Sequence, residues 1–290
     1  MDYTPINMTP QQNRFTPQTI TKKKLKARKG TDENDYLKIL AYGIPGVGKT
    51  NAISGLLRHN LRVFVCSTDF GGSGLRTVKA NLRDKLECLD NLFEYEFQSY
   101  SEFSQFLQDP SIIDIDGQDI YSFNPDFLVW EGMSNWQQNM LDDYVLDMEP
   151  GTKNSSKQRL EGLRAEQQDW DAIKRGTNRS LDTFLKLHNV KTGKSWHKYV
   201  TCHEGEAKQD NLTGELRRDP LIQGGARSSI GGAFDLVIQM VKTGSEDKTK
   251  YEYILSTPKA MTKSRGFKFK PREEGDMYKL WQEIQLQIKS

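Results

Sequence analysis

An α/β fold, in which a mostly parallel sheet is covered by helices and extended near its C-terminus by a β-hairpin, is predicted by three features of this sequence. A short apolar strand, Tyr36 to Gly43, runs into a glycine-rich turn. From Lys49 the sequence KTNAISGLLRHN reads as a helix with Ile53, Leu56 and Leu57 on one side. LRVFVCSTD, Leu61 to Asp69, is then a nearly unbroken apolar run, as expected of a strand with helices on both faces. Strand, turn, helix and strand in that order make a βαβ unit.

The later elements follow from the same patterns. GLRTVKANLRDKLECL predicts a short helix and NLFEYEF a strand. SYSEFSQFLQDP places Tyr100, Phe103, Phe106 and Leu107 at helical spacing and stops at a proline. IIDIDGQDI reads as a polar β excursion, with a hairpin at Asp116-Gly117. DFLVWEG, Asp126 to Gly132, is the next core strand, and the helix after it turns Trp136, Met140, Leu141 and Tyr144 toward the sheet. WDAIKRGTNRSLDTFLKLHNV predicts a helix, and WHKYVTCHE, Trp196 to Glu204, a fourth apolar strand. AFDLVIQMVK and KYEYILSTPK pair as a hairpin around TGSEDKT. The organisation expected is a flexible basic arm over 1–35, a core over 36–270 and a C-terminal helix over 271–290. Within the core lie polar insertions near 109–124 and 150–168 and a mobile loop over 205–225, of the length that is often functional.

With 290 residues the chain suits one α/β core with a substantial insertion better than two equal domains. Hydrophobic residues make up 36% and charged residues 28%, and 13 Phe, 11 Tyr and 5 Trp are available to fill a core. No stretch approaches the roughly 18 apolar residues of a membrane span. The start, MDYTPINMTPQQ, has no apolar segment of the secretory type, so cytoplasmic residence is expected. Cys66, Cys88 and Cys202 lack CxxC spacing, which fits a reducing compartment. Zinc held by Cys202 and His203 with His188 or His197 is disfavoured, because no recurring ligand spacing is present. The net charge is +2, with basic clusters at Lys22 to Gly30 and Thr257 to Arg272. Each cluster is either a solvated face or a contact for a polyanion.

The segment from Gly43 to Thr50, GIPGVGKT, matches GxxxxGK[ST] between a strand and a helix, the context this motif requires. Its glycines let consecutive amides converge on phosphate oxygens at a helix N-terminus. Gly43, Pro45, Gly46, Val47, Gly48, Lys49, Thr50 and Asn51 form the expected cradle for a nucleotide such as ATP. Lys49 reaches the β- and γ-phosphates, and the Thr50 hydroxyl ligates Mg2+. Glu131 ends its strand at the crevice edge, where it either holds Mg2+ through a water or caps a surface loop. Asp69 ends the strand after the glycine-rich helix, and either polarises an attacking water or caps the turn into GGSG. His203 closes another strand, and from that edge Thr201 or His203 contacts the terminal phosphate or its water, or His203 is simply a packed histidine. Lys263 and Arg265 in TKSRG act on a neighbouring subunit's nucleotide, grip a nucleic-acid backbone, or form an ordinary basic surface.

In AYGIPGVGKT, VFVCSTDFGG, DFLVWEGMS, YVTCHE and the late DLVIQM, YILSTPK and KSRG segments, in that order, the chain resembles phage-type nucleotide-binding ATPases with a RecA-like core. The resemblance covers roughly residues 36 to 270. It implies Lys49 and Thr50 as phosphate and Mg2+ residues, Asp69 as the catalytic carboxylate, and His203 as the sensor. It implies Lys263 and Arg265 as the pair reaching an adjacent subunit's γ-phosphate. Glu131 stands where the family more usually has Asp followed by Ser or Thr, so Gly132 is a departure. ATP hydrolysis coupled to single-stranded DNA in phage recombination or replication is the implied activity, in a homo-oligomer with nucleotide at subunit interfaces. Candidate DNA contacts are Lys208, Arg217, Arg218 and the arm KKKLKARKG. The other classes open to the sequence are a motor or loader engaging a protein partner, a nucleotide-gated structural protein with little turnover, and a small-molecule kinase.

Overall fold

The computed structural model describes residues 36–69, 74–146, 167–209, 214–222, 230–244 and 249–289. In chain order the elements are β1 Lys38–Gly43, α1 Ala52–Leu57, β2 Val63–Ser67, α2 Leu75–Asn81, β3 Leu92–Glu96 and α3 Tyr100–Gln108. The short β4 Asp114–Ile115, β5 Gln118–Asp119 and α4 Ile120–Phe123 precede β6 Phe127–Glu131, α5 Met133–Leu146 and α6 Gln167–Lys186. Then come β7 His197–His203, β8 Lys208–Gln209, β9 Leu216–Arg217, β10 Leu236–Thr243, β11 Lys250–Ile254, β12 Lys263–Ser264, β13 Arg272–Glu274 and α7 Met277–Lys289.

Nine strands form one sheet in the order β13-β11-β10-β1-β7-β6-β2-β3, with β12 also on β10. The six strands from β10 to β3 along this path are parallel, and β11, β12 and β13 add an antiparallel extension. This is a Rossmann- or P-loop-like α/β architecture: a parallel core flanked by helices, with antiparallel strands at one side.

Strand alternation divides the core into two layers. Leu40, Phe64, Leu128, Trp130 and Val200 meet Phe103, Phe106, Trp136, Ile173 and Phe184 of α3, α5 and α6. Ile39, Val65, Val129 and Tyr199 point the other way, against Ile53, Leu56, Val78, Met277, Leu280 and Ile284 of α1, α2 and α7. Each fully buried large apolar side chain stabilises the fold by roughly 1.5–3 kcal/mol, so both faces hold the sheet between helices. Ser99 caps α3 by accepting from the Glu102 amide at 3.1 Å, and Glu102 accepts from the Gln98 amide at 2.7 Å. The predicted hairpin forms at Asp116 and Gly117, whose φ angles of 50° and 80° suit its two-residue turn.

Several boundaries differ from expectation. α1 begins at Ala52 and not at Lys49: the Ala52 amide bonds Gly48 O at 3.0 Å as in a helix, but the Ile53 amide bonds Thr50 O at 3.2 Å and draws the turn tight. Residues 271–290 hold a strand as well as a helix: β13 pairs with β11, so the core sheet runs past residue 270. Arg-Glu-Glu carries no apolar alternation, and the strand is held by main-chain pairing with an ion pair from Arg272 to Glu252 of β11 at 2.9 Å. Part of the 205–225 segment is the β8–β9 ribbon, with Lys208 opposite Arg217. The arm over 1–35 and most of the 150–168 insertion lie outside the described residues.

At the opening of β7, His197 Nδ1 accepts from the Leu37 amide at 3.0 Å, and its ring stacks on Phe127 at 4.8 Å. Burial, with Lys198 adding to it, pushes the imidazole down to about 4 from its usual 6.5. The unfolded chain binds this proton more readily, so the stability contribution is complete above the unfolded value and is lost as pH falls toward the folded one. Between pH 6.5 and 5 the loss from this group is roughly 2 kcal/mol. Urea unfolding at the two pH values is expected to show this drop in the wild type and a smaller drop in His197→Gln. Equal slopes for both proteins would contradict the assignment.

Candidate functional site

Parallel registration brings the predicted residues to one edge of the sheet. Gly43 pairs with His203 across β1 and β7, and Ser67 with Glu131 across β2 and β6. The segments that leave these strand ends therefore open side by side. Between them lies a cavity of about 440 Å³. Pro45, Gly46, Gly48, Lys49, Thr50, Asn51, Asp69, Glu131 and His203 line it, together with Gly132, Thr201, Cys202 and Tyr251. Gly43 and Val47 do not line it. Val47 is 2% exposed and anchors the loop in the core, while Gly43 passes so near β10 that a Cβ there would stand 2.5 Å from Met240 O.

Positive φ at Gly46 and Gly48, 81° and 86°, curls the loop. The Lys49 ammonium lies under that curl and donates to Gly43 O at 2.9 Å and Ile44 O at 3.0 Å. Burial lowers its pKa, and the negative charges of Glu131, Asp69 and Glu204 work against that shift. The cation is thus stored beside the cavity, held by carbonyls that a stronger anionic partner can displace.

Across the loop, the Thr50 hydroxyl donates to Glu131 Oε1. Glu131 is 5% exposed, and its second oxygen, Oε2, has no hydrogen-bond partner among the described residues. Burial raises this carboxyl above its ordinary range, the Thr50 bond opposes the shift, and the Asp69 charge adds to it. A buried carboxylate oxygen without a partner is costly unless a cation or donor meets it. One carboxylate beside one hydroxyl fits Mg2+, which is bound by few protein oxygens, with phosphate and water completing its shell. Among the described residues no three His, Cys, Asp or Glu side chains converge, which leaves no multidentate protein cage of the zinc type.

Hydroxyls and one amide brace the remaining groups. Asn135, in the first turn of α5, donates to Asp69 Oδ1. Thr68 donates to Glu131 O at 2.9 Å and ties the end of β2 to the end of β6. Thr201 Oγ1 accepts from the Gly132 amide at 3.2 Å, and Ser134 Oγ accepts from the His203 amide at 3.0 Å. His203 Nδ1 is buried without a hydrogen-bond partner among the described residues, and burial lowers the ring's pKa. Cys202 is pushed up to about 12 by burial and stays a thiol.

The structure places Lys263 and Arg265 elsewhere. Lys263 lies opposite Val237, at the start of β10, and donates to the carbonyls of Gly231, Gly232 and Phe234 at 3.0, 3.2 and 2.6 Å. Arg265 pairs with Asp235 at 2.8 Å. Both stand at the edge where the parallel strands begin, about 15 Å of strand from the glycine-rich loop of their own chain.

Thr201, expected from sequence beside His203, lines the cavity with it. Tyr199, Ser134, Asn135 and Tyr251 were not among the residues singled out from sequence; of these Tyr199 carried a usable signal of place, since it alternates with Thr201 and His203 along β7 and so shares their face. No protein-family model matches this chain, and neither does any curated protein.

Backbone geometry explains why a glycine stands at 132. Its φ is 83°, and a Cβ there would stand 2.9 Å from the Asp69 Cβ. Gly132→Ser is therefore expected to lower the unfolding free energy by roughly 1–3 kcal/mol, measured by denaturant titration. Unchanged stability would show that Asp69 can move aside at little cost.

Proposed function

We propose that this chain binds a nucleoside triphosphate, ATP in the first instance, together with Mg2+, and hydrolyses its terminal phosphate. The reading rests on the Glu131 carboxylate, which meets Thr50 with one oxygen and leaves the other buried and unpartnered beside Lys49. Lys49 would exchange its two loop carbonyls for phosphate oxygens, while the amides of the loop hold the rest of the polyphosphate. Thr50 and Glu131 would hold Mg2+, which when bound offsets charge on the phosphate oxygens. Asp69, oriented by Asn135, is the base toward an attacking water, and His203 Nδ1 is the group able to bond the terminal phosphate or that water.

A RecA-like arrangement is supported by β7, which lies between the loop strand β1 and the acid strand β6 and ends in His203. The DNA-directed half of the reading rests on the resemblance. In the β8–β9 ribbon, Arg217 is held by Asp219 at 2.8 Å and Arg218 by Glu204 at 3.0 Å, leaving Lys208 as its freest candidate cation. Those ion pairs weigh against the ribbon as a DNA contact, and a motor or loader that acts on a protein partner is the second reading. A role for Lys263 on a neighbouring subunit's nucleotide would require it to release three carbonyls.

Phosphate release from ATP is the direct test. Mg2+-dependent turnover is expected, reduced by roughly 100-fold or more in Lys49→Ala and in Glu131→Gln. Glu131→Gln is also expected to unfold at higher denaturant concentration, because it removes a buried charge. Salt-sensitive stimulation by single-stranded oligonucleotides favours the DNA reading. Turnover that needs an added protein favours the second. Background hydrolysis equal in all three proteins would overturn both.

A further inference from the structure

Tyr199 is 0% exposed, and its ring lies in the layer between the sheet and α1. Its hydroxyl donates to the main-chain carbonyl of Lys49 at 2.8 Å. That carbonyl is the acceptor a regular helix would offer to the Ile53 amide. Here the Ile53 amide bonds Thr50 O at 3.2 Å instead, while the Ala52 amide bonds Gly48 O at 3.0 Å and reaches Lys49 O only at 3.4 Å. As a result the helix proper begins at Ala52, and Lys49 to Asn51 form a tightened turn. Those residues carry the ammonium and hydroxyl that face Glu131. The Tyr199 hydroxyl also lies 3.8 Å from Met240 Sδ, a weak contact, so its one strong bond is to Lys49.

We propose that Tyr199 is a positioning residue for the phosphate loop: by occupying the Lys49 carbonyl it keeps the Ile53 amide on Thr50 O, holds the turn before α1 tight and fixes Thr50 against Glu131. Ile39 of β1 lies opposite Tyr199, so the ring starts from the strand that enters the loop and reaches the turn that leaves it. β7 then sets both halves of the metal site, because Thr201, two residues along the same face, holds the Gly132 amide beside Glu131. Without the hydroxyl, Lys49 O is left buried or bonds Ile53, and the second outcome rotates the Thr50 side chain about the helix axis. Its alternation with His203 puts Tyr199 on the right face, but a tyrosine in an apolar strand reads as core, and nothing local points its hydroxyl at Lys49.

The inference deepens the nucleotide reading and rests on it for its kinetic consequences, but not for its structural one. Tyr199→Phe keeps the ring and removes only the oxygen. In the nucleotide-free protein, hydrogen exchange at the amides of residues 49 to 53 is expected to change several-fold, while amides of β6 and β10 exchange as in the wild type. With ATP, kcat/KM is expected to fall roughly three- to tenfold, the range for one lost hydrogen bond, and the half-saturating Mg2+ concentration to rise. Loss of packing alone would not move the Mg2+ requirement. Wild-type exchange at 49 to 53 together with a wild-type Mg2+ requirement would overturn the proposal. If wild-type protein neither binds nor hydrolyses ATP, the nucleotide reading fails, and the exchange measurement alone decides the role of Tyr199. Altered exchange spread across the whole sheet would assign the residue to general packing and also overturn it.

Discussion

The contact between Thr50 and Glu131 is the constraint on which the rest of the site depends. It joins a loop that leaves β1 to the end of a strand two places away in the sheet, so it exists only if the parallel strands are in register. Glu131 enters this contact with a desolvation cost that the Thr50 bond offsets in part. Its free oxygen keeps the remainder of that cost in place until a cation arrives. A buried carboxylate of this kind, incompletely satisfied, favours a cation or a hydrogen-bond donor at its second oxygen.

The two layers of the core make that register hard to lose. A slip of one residue in β6 would exchange Leu128 and Trp130 with Val129 and turn each toward the wrong helices. The aromatic packing of Trp130 on Phe103 at 4.7 Å and on Trp136 at 5.3 Å fixes the strand from one face. Tyr199 and the α1 residues fix it from the other. Stability and site geometry are thus the same contacts viewed from opposite ends of the strands. Lys263 and Arg265, at the far edge, take part in the first of these roles through Phe234 and Asp235.

Much of this was legible in the sequence because it is periodic or steric. The βαβ order, the curl of the glycine-rich loop and the hairpin at Asp116-Gly117 each follow from local chemistry. Glu131 and Asp69 were readable as strand-end acids, since parallel strands deliver their C-terminal ends to one side. What escaped depends on contacts distant in the chain. The turn that opens α1 is met at the Lys49 carbonyl by Tyr199 from β7, a contact no helix propensity reports. β13 owes its existence to an exposed edge of β11, which its own residues do not announce. Gly132 looked like a missing hydroxyl, and the nearness of Asp69 supplies the reason.

The account turns on Thr50 and Glu131 forming a metal site that works together with a bound triphosphate. Calorimetric titration with a nonhydrolysable ATP analogue, in Mg2+ and again in chelator, measures this most directly. The account predicts affinity at least about tenfold tighter with Mg2+ in the wild type, and a much smaller difference in Thr50→Val, which keeps the shape and removes the ligand. Binding of equal strength in both conditions, or no binding in either, would contradict it.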